Sequence, residues 1–320
     1  MTNDTASGDS LSIALVGSLP PPPGGVASSI ASIKSALDDR NMIHLRVISW
    51  HELWKLIFAR PDVIHFNFSR PMKRLAGTLF GRLIGSRVVH TIHGNTFCFE
   101  LFGNALAVKL SHGFILLNRD VMDRFRERGI QKLIQLTPIL DTGVRPGSGP
   151  NCILDGISGR IALVYAHGRQ FIDGKEVYGF SFVAQLLPDL AERGYKVFFL
   201  DPSATYSLDE LDVHGTCAVI HHRASVDFRA LLPRMSVYLR PTSTDGNSVA
   251  VLEALHAGVP VLASDAVPRP DGVITYRYGD ADDFLAKIDA LDEAKGLSVS
   301  VPNVVPLSSA ADYIAFLRML

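Results

Sequence analysis

The densest concentration of chemically useful residues lies between Leu239 and Asp265, LRPTSTDGNSVAVLEALHAGVPVLASD. An apolar run ends in a polar, glycine-bearing loop and apolar residues then recur at helical spacing, so the segment reads strand, loop, helix. The first amides of a helix lack intrahelical acceptors and sit at the positive end of its dipole, a combination that attracts phosphate oxygens. Gly246, Asn247, Ser248 and Val249 occupy that position. Glu253 falls further along the same helix, within reach of a ribose attached to a diphosphate at the helix start, and a carboxylate is a natural acceptor for two hydroxyls. Asp245 precedes it by eight residues, at the sugar end of such a ligand. An ordinary turn with an Asp N-cap and a solvent-facing Glu uses the same residue types.

A second cluster, AHGRQFIDGKEVYG, spans Ala166–Gly179 directly after an apolar run. Arg169 and Lys175 are suited to neutralising a diphosphate and the charge that develops as a leaving group departs, which removes the need for a metal ion; a pair of solvated loop cations is the alternative. Gly24 and Gly25, between the first apolar run and the first helical pattern, allow close approach of backbone to a ligand, although the G-x-G-x-x-G fingerprint is absent. Among eleven histidines, His93 in Thr91-Ile92-His93-Gly94 and His65 in PDVIHFN stand at the ends of apolar runs. His221 and His222 have no Cys or acid at ligand spacing, so no zinc site is expected. Arg240, Arg269 and Asp271 flank the first cluster and either touch a ligand or cap strands.

These residues need a scaffold that brings loops together. Apolar, β-rich runs at LSIALVGS (11–18), HLRVISW, PDVIHFNF, SRVVHTIHG and GFILLN alternate with helical patterns such as VASSIASIKSAL, MKRLAGTLFGRLIG and RDVMDRFRERG, which predicts a mostly parallel, doubly wound sheet. The segment 141–160 is rich in Gly, Pro and Ser, and the alternation restarts after it: IALVYAHG, a helix over 178–193, YKVFFLD, CAVIHH, a helix near 226–234, SVYLRP, a helix over 248–257, and PVLAS. The expected organisation is a disordered 1–10, an N-terminal Rossmann-like domain over 11–150, a C-terminal one over 151–305, and a terminal helix over 306–320 whose packing the sequence leaves open.

Composition narrows the partners. With 320 residues, 47% hydrophobic and 20% charged, the chain is long enough for two cores, and a net charge of -1 gives no footprint for nucleic acid. The start MTNDTASGDS does not read as a secretion signal and no apolar stretch is long enough to span a bilayer. Cys98, Cys152 and Cys217 form no framework, which suits a reducing cytoplasm. Residues 51–90 are locally basic, with Lys55, Arg60, Arg70, Lys73, Arg74, Arg82 and Arg87 against Glu52 and Asp62, and carry Trp54, Phe58, Leu75, Leu79, Phe80 and Leu83. Two readings stand: ordinary Rossmann helices with solvated basic faces, or docking on anionic lipid at the inner face of the cell membrane.

Taken together, Asp245, Glu253 and the E-A-x-x-x-G-x-P-V-x-x-S-D pattern from Glu253 to Asp265 resemble the C-terminal signature of the GT-B glycosyltransferases of family 4, with Asp at 245 where Glu is usual. The family's G-R…K-G stretch, GG dipeptide and N-domain His have counterparts in Arg169 and Lys175, in Gly24 and Gly25, and in His93. The resemblance implies an α/β fold of two Rossmann-like domains facing each other across a cleft, the acceptor in the first and the nucleotide-sugar donor in the second. It implies retaining transfer of a hexosyl-type group to a glycan or lipid-linked acceptor in polysaccharide or glycoconjugate biosynthesis, metal-independent and with no cofactor, the nucleotide-sugar being a substrate. On that mapping Glu253 binds the ribose and Asp245 the donor sugar, Arg169 and Lys175 face the diphosphate, His93 faces the reacting sugar, and Gly24, Gly25 and His65 line the cleft. A sugar-nucleotide epimerase on the same fold and a non-catalytic partner in a polysaccharide assembly complex remain the alternatives.

Overall fold

In a computed structural model, the residues described are 10–19, 25–38, 40, 42–94, 97–138, 152–207, 209, 219–246, 248–296 and 308–320. The chain divides into two compact units, Met1–Gly143 with Leu307–Leu320, and Val144–Pro306. The segment 1–10, except its last residue, and most of the 141–160 boundary segment lie outside the described residues.

The first unit runs β1 (Leu11–Val16), α1 (Gly25–Leu37), β2 (Ile43–Ile48), a 3-10 turn (Trp50–Lys55), α2 (Leu56–Ala59), β3 (Val63–Phe66), α3 (Pro71–Leu83), β4 (Arg87–Ile92), α4 (Phe102–Leu110), β5 (Gly113–Leu116), α5 (Arg119–Glu127) and β6 (Leu133–Gln135). All six strands pair in parallel, in the order β2-β1-β3-β4-β5-β6. Strands β3 and β5 are buried along their whole length, as required of parallel strands covered by helices on both faces, and this is why β5 is an unbroken apolar run and β3 one interrupted only by His65.

The second unit contains β7 (Arg160–Tyr165), a short antiparallel hairpin β8 (Phe171–Ile172) and β9 (Lys175–Glu176), α6 (Phe180–Gln185), α7 (Leu187–Glu192), β10 (Tyr195–Leu200), β11 (Val219–His222), α8 (Phe228–Leu231), β12 (Val237–Arg240), α9 (Val249–His256), β13 (Val261–Ser264), β14 (Ile274–Tyr276) and α10 (Ala281–Gly296). Its parallel sheet has the order β11-β10-β7-β12-β13-β14. The helix expected over 178–193 is two helices, α6 and α7, with Pro188 in the first turn of the second. Proline has no N–H to donate and crowds the preceding turn, so the helix restarts there. Pro233 likewise stands in a 3-10 turn, Leu232–Arg234, that ends the helix expected near 226–234.

The terminal helix α11 (Ala310–Met319) packs into the first unit, where Ala310, Tyr313, Phe316 and Leu317 join the core formed by β1, α1, β3 and β4. The Arg87 guanidinium donates to the Leu317 carbonyl at 3.2 Å, and the Tyr313 hydroxyl meets His65 Nδ1 at 2.8 Å. No helix among the described residues is long and apolar enough to cross a membrane.

Helix α3 is unusual in its sidedness. It turns Gly77, Thr78 and Gly81 inward, against Phe66 and Val88, and it buries Arg74, whose guanidinium bonds Asn104 and the Phe68 carbonyl. Met72, Leu79 and Leu83 face outward instead, Leu83 with 85% of its surface accessible. Trp54 and Phe58 on the preceding turn and helix, and Phe102 at the start of α4, are exposed as well.

Candidate functional site

In each sheet there is a point where the strand order reverses, and in doubly wound folds ligands bind outside the carboxyl ends of the strands at that point. In the second unit it lies between β7 and β12, since the chain leaves β7 toward β10 and β11 and returns to β12 on the other side. The loops that follow those two strands are the two clusters singled out in the sequence.

After β7, the Arg169 N–H donates to Thr205 Oγ1 at 2.7 Å and the guanidinium lies over the Phe171 and Tyr206 rings, 5.8 and 5.9 Å from their centroids. The β8–β9 hairpin then turns through Asp173 and Gly174, both at positive φ (50° and 73°), the two-residue type I′ geometry that Asp-Gly favours. Lys175 leaves the turn exposed, with Nζ 5.6 Å from the Tyr278 ring centroid. The hairpin is tied to the loop after β12 by the Ser243 N–H, which donates to the Val177 carbonyl at 3.0 Å. At Gly179, in the left-handed region (φ 66°), a Cβ would collide with the Pro241 carbonyl. Only glycine admits this approach, and it sets the cationic loop against the loop that opens α9.

After β12 the buried Arg240 grips Asp245 in a two-pronged ion pair, Nε to Oδ2 at 2.8 Å and Nη2 to Oδ1 at 3.1 Å. Arg269, from the loop after β13, donates to the same carboxylate at 3.1 Å and ties it to the Ser264 carbonyl and to Thr242 Oγ1. Burial alone would raise the Asp245 pKa, but Arg240 and then Arg269 outweigh it and hold the carboxyl below the ordinary aspartate range. The same pair keeps Arg240 charged despite burial. Asp245 is thus placed as the hub of a buried triad, with the two arginines noted beside it in the sequence as its partners.

Helix α9 starts at Val249, and Ser248 caps it by accepting the Val251 N–H on its hydroxyl at 3.4 Å. Val249 is buried, Gly246 and Ser248 are half-buried, and Asn247 lies outside the described residues. One turn along, the Glu253 side chain is only 12% accessible and faces Arg229 at 3.8 Å, beyond hydrogen-bonding distance. Burial pushes its carboxyl up to about 7; Arg229 pulls it down and Asp227 adds to the rise. It is a desolvated acid with one distant cation, in contrast to the locked Asp245.

In the first unit the reversal lies between β1 and β3. Gly25 is exposed at the first residue of α1, and Gly24 lies outside the described residues. His93 follows β4, half-buried, with Nε2 at 2.9 Å from Asn67 Oδ1 and a pKa lowered by burial to about 4. His65 sits inside β3, fully buried, its ring nitrogens meeting the Tyr313 hydroxyl at 2.8 Å and the Thr91 hydroxyl at 2.6 Å; burial lowers its pKa to about 3. That placement gives it a role in seating α11 on the sheet. Sequence reasoning passed over Asn67, whose one signal is a polar residue directly after the VIHF run.

No family model matches the chain, and no curated protein matches it in sequence. Solved structures do. HepE of Anabaena in complex with UDP is 14% identical, with a TM-score of 0.64 over 95% of this chain and 94% of that one; HepE has also been solved with UDP-glucose. The catalytic domain of starch synthase IV from Arabidopsis thaliana, bound to ADP and acarbose, is 11% identical with a TM-score of 0.70 over 98% and 99%. MnaA of S. aureus with UDP is 13% identical with a TM-score of 0.66 over 95% of each chain. At such identities the likeness establishes the fold, and the chain has the GT-B fold of two Rossmann-like units.

Proposed function

We propose that the chain is a glycosyltransferase that moves a hexosyl-type group, with retention and without a metal ion, from a nucleotide-sugar to a glycan or lipid-linked acceptor in polysaccharide or glycoconjugate synthesis. What supports this reading is that the loops after β7 and β12, at the reversal of strand order, carry between them two cations, a capped helix start and a desolvated acid one turn into that helix. Each has a counterpart in a nucleoside diphosphate. Amides around Ser248 and Val249, with Arg169 and Lys175, would take the diphosphate, and Glu253 the ribose hydroxyls. The same cations stabilise charge on the leaving diphosphate, which is the electrostatic work usually done by a metal. Asp245 belongs to the sugar end, where its triad fixes the loop between β12 and α9. The ligands of the structural neighbours, UDP, UDP-glucose and ADP, fit this reading.

The acceptor side of the proposal includes peripheral docking on anionic membrane through α2, α3 and the start of α4. An amphipathic helix normally buries its large apolar residues; α3 buries Leu75 but leaves Met72, Leu79 and Leu83 exposed, as are Trp54, Phe58 and Phe102. The same stretch of chain carries Lys55, Arg60, Arg70, Lys73 and Arg82, a combination that suits an anionic lipid surface.

A thermal-shift screen over UDP-, GDP-, ADP- and TDP-sugars, followed by turnover with and without EDTA, tests the donor side. One nucleotide class should stabilise the chain, by about 2.7 kcal/mol at a hundred times its Kd, and turnover should survive chelation. Turnover that needs restored manganese or magnesium contradicts metal independence; conversion of the sugar nucleotide with no acceptor present identifies an epimerase instead. Sedimentation with liposomes tests the lipid side, with binding to anionic vesicles that weakens with salt and is lost in Leu83→Glu with Phe58→Glu; equal binding to neutral vesicles, or none to either, contradicts it.

A further inference from the structure

Three residues stand at the carboxyl ends of adjacent strands in the first unit: Gly17 after β1, Asn67 after β3 and His93 after β4. Gly17 packs beside both neighbours, since a Cβ there would meet the tip of the Ile30 side chain and lie 3.7 Å from the Asn67 Cβ. Asn67 is held from both sides. Its N–H donates to the Val16 carbonyl at 3.2 Å, and its Oδ1 accepts from His93 Nε2 at 2.9 Å. Only 7% of Asn67 is accessible, and its Nδ2 is buried without a hydrogen-bond partner among the described residues.

A buried amide donor left unmade is a cost, which a ligand or water accepting from it would offset. A histidine that donates from Nε2 in its neutral form carries a lone pair on Nδ1, and burial keeps this ring neutral. His65, which interacts electrostatically with it, is held neutral by burial as well. The two side chains together therefore offer one donor, Asn67 Nδ2, and one acceptor, His93 Nδ1. A hydroxyl, which both donates and accepts, matches that pair; a carboxylate or phosphate, which only accepts, matches half of it.

We infer that Asn67 is a positioning residue, which fixes His93 in the Nε2–H form with Nδ1 as acceptor and offers its own Nδ2 to a hydroxyl of a neutral, hydroxyl-rich ligand. The inference rests on the glycosyl-transfer reading only for what that ligand is, a sugar of the acceptor or donor. It makes His93 an acceptor from a sugar hydroxyl. Asn67 acts through it and beside it.

Imidazole nitrogen NMR on the full-length protein tests this without any turnover. In the wild type His93 should show the proton on Nε2. Asn67→Leu, close in volume, should abolish that preference, and Asn67→Asp should keep the Nε2–H form while raising the His93 titration midpoint from about 4 by about 1 to 3 units, because a carboxylate would face the ring. A wild-type ring protonated on Nδ1, or a midpoint unmoved in Asn67→Asp, overturns the inference, and the first of these needs no variant to fold. Where turnover is measurable, Asn67→Leu should lower kcat with little change in KM for the nucleotide-sugar, and Asn67→Asp should restore part of it. The expected tautomer in a protein with no transfer activity would count against the glycosyltransferase reading while leaving the Asn67–His93 pair intact.

Discussion

Asp245 and Glu253 lie eight residues apart on one loop and helix, both largely buried, yet their surroundings are opposite. Asp245 accepts from two guanidinium groups and is held below its ordinary pKa, whereas Glu253 has a single cation at 3.8 Å and is pushed up to about 7. A carboxylate already saturated by arginines contributes structure. A carboxylate desolvated and left short of partners is a cost in the unliganded chain, offset when a ligand brings hydroxyls to it. The shorter Asp at 245 belongs with this division, since the protein's own arginines come to it.

The largest expected effect comes from cutting the triad. Asp245→Asn keeps the shape but leaves Arg240 and Arg269 buried without a counter-charge, and removing one member of a buried ion pair costs about 3–5 kcal/mol. Urea denaturation should show that loss at neutral pH. Because the folded pKa is depressed, the stabilisation is present above the unfolded value of 3.8 and disappears as pH falls through the folded one. If Asp245→Asn unfolds at the wild-type midpoint, the two acids do not differ as described.

Glu253→Gln should act in the other direction. A raised folded pKa means that the wild type loses stability as pH rises from 4.5 to about 7, by an amount on the order of 3 kcal/mol, and then levels off. Gln carries no such penalty, so the variant should be the more stable at pH 8 and indistinguishable at pH 4. Equal melting temperatures at pH 8 would remove the desolvation from the account. A smaller effect follows in the ligand. If the ionised form accepts the ribose hydroxyls, nucleotide affinity should rise by up to about tenfold per pH unit below 7 and flatten above it, a dependence absent in Glu253→Gln.

The contrast was half legible in the sequence. Glu253 and the helix start at Ser248 and Val249 announce themselves because strand, loop and helix are contiguous and the pattern from 239 to 265 is dense. The partners of Asp245 do not, since Arg269 arrives from 24 residues away and only the sheet order brings it back. The Asn67–His93 bond joins residues 26 apart for the same reason. Most central strands, such as VIHF, GFIL and VLAS, read clearly because burial on both faces makes them unbroken apolar runs. The hairpin at 171–176 is not legible from periodicity, because its strands are too short, although Asp173-Gly174 is a turn signal, whereas α10 carries Phe284, Ile288 and Leu291 at helical spacing, a stripe that the expected elements leave unused. Pro188 is a break signal inside the single helix expected over 178–193, and that expectation does not take account of it.

Calorimetry with a free nucleoside diphosphate tests the central claim, that the second unit holds the nucleotide through Glu253. Using whichever of UDP, GDP, ADP or TDP binds the wild type, and circular dichroism to confirm folding, Glu253→Gln should bind at pH 8 about ten- to more than a hundredfold more weakly, the loss of a charged hydrogen bond of about 1.5–3 kcal/mol. Wild-type affinity in Glu253→Gln would contradict the account, because the helix start would then not be the ribose site.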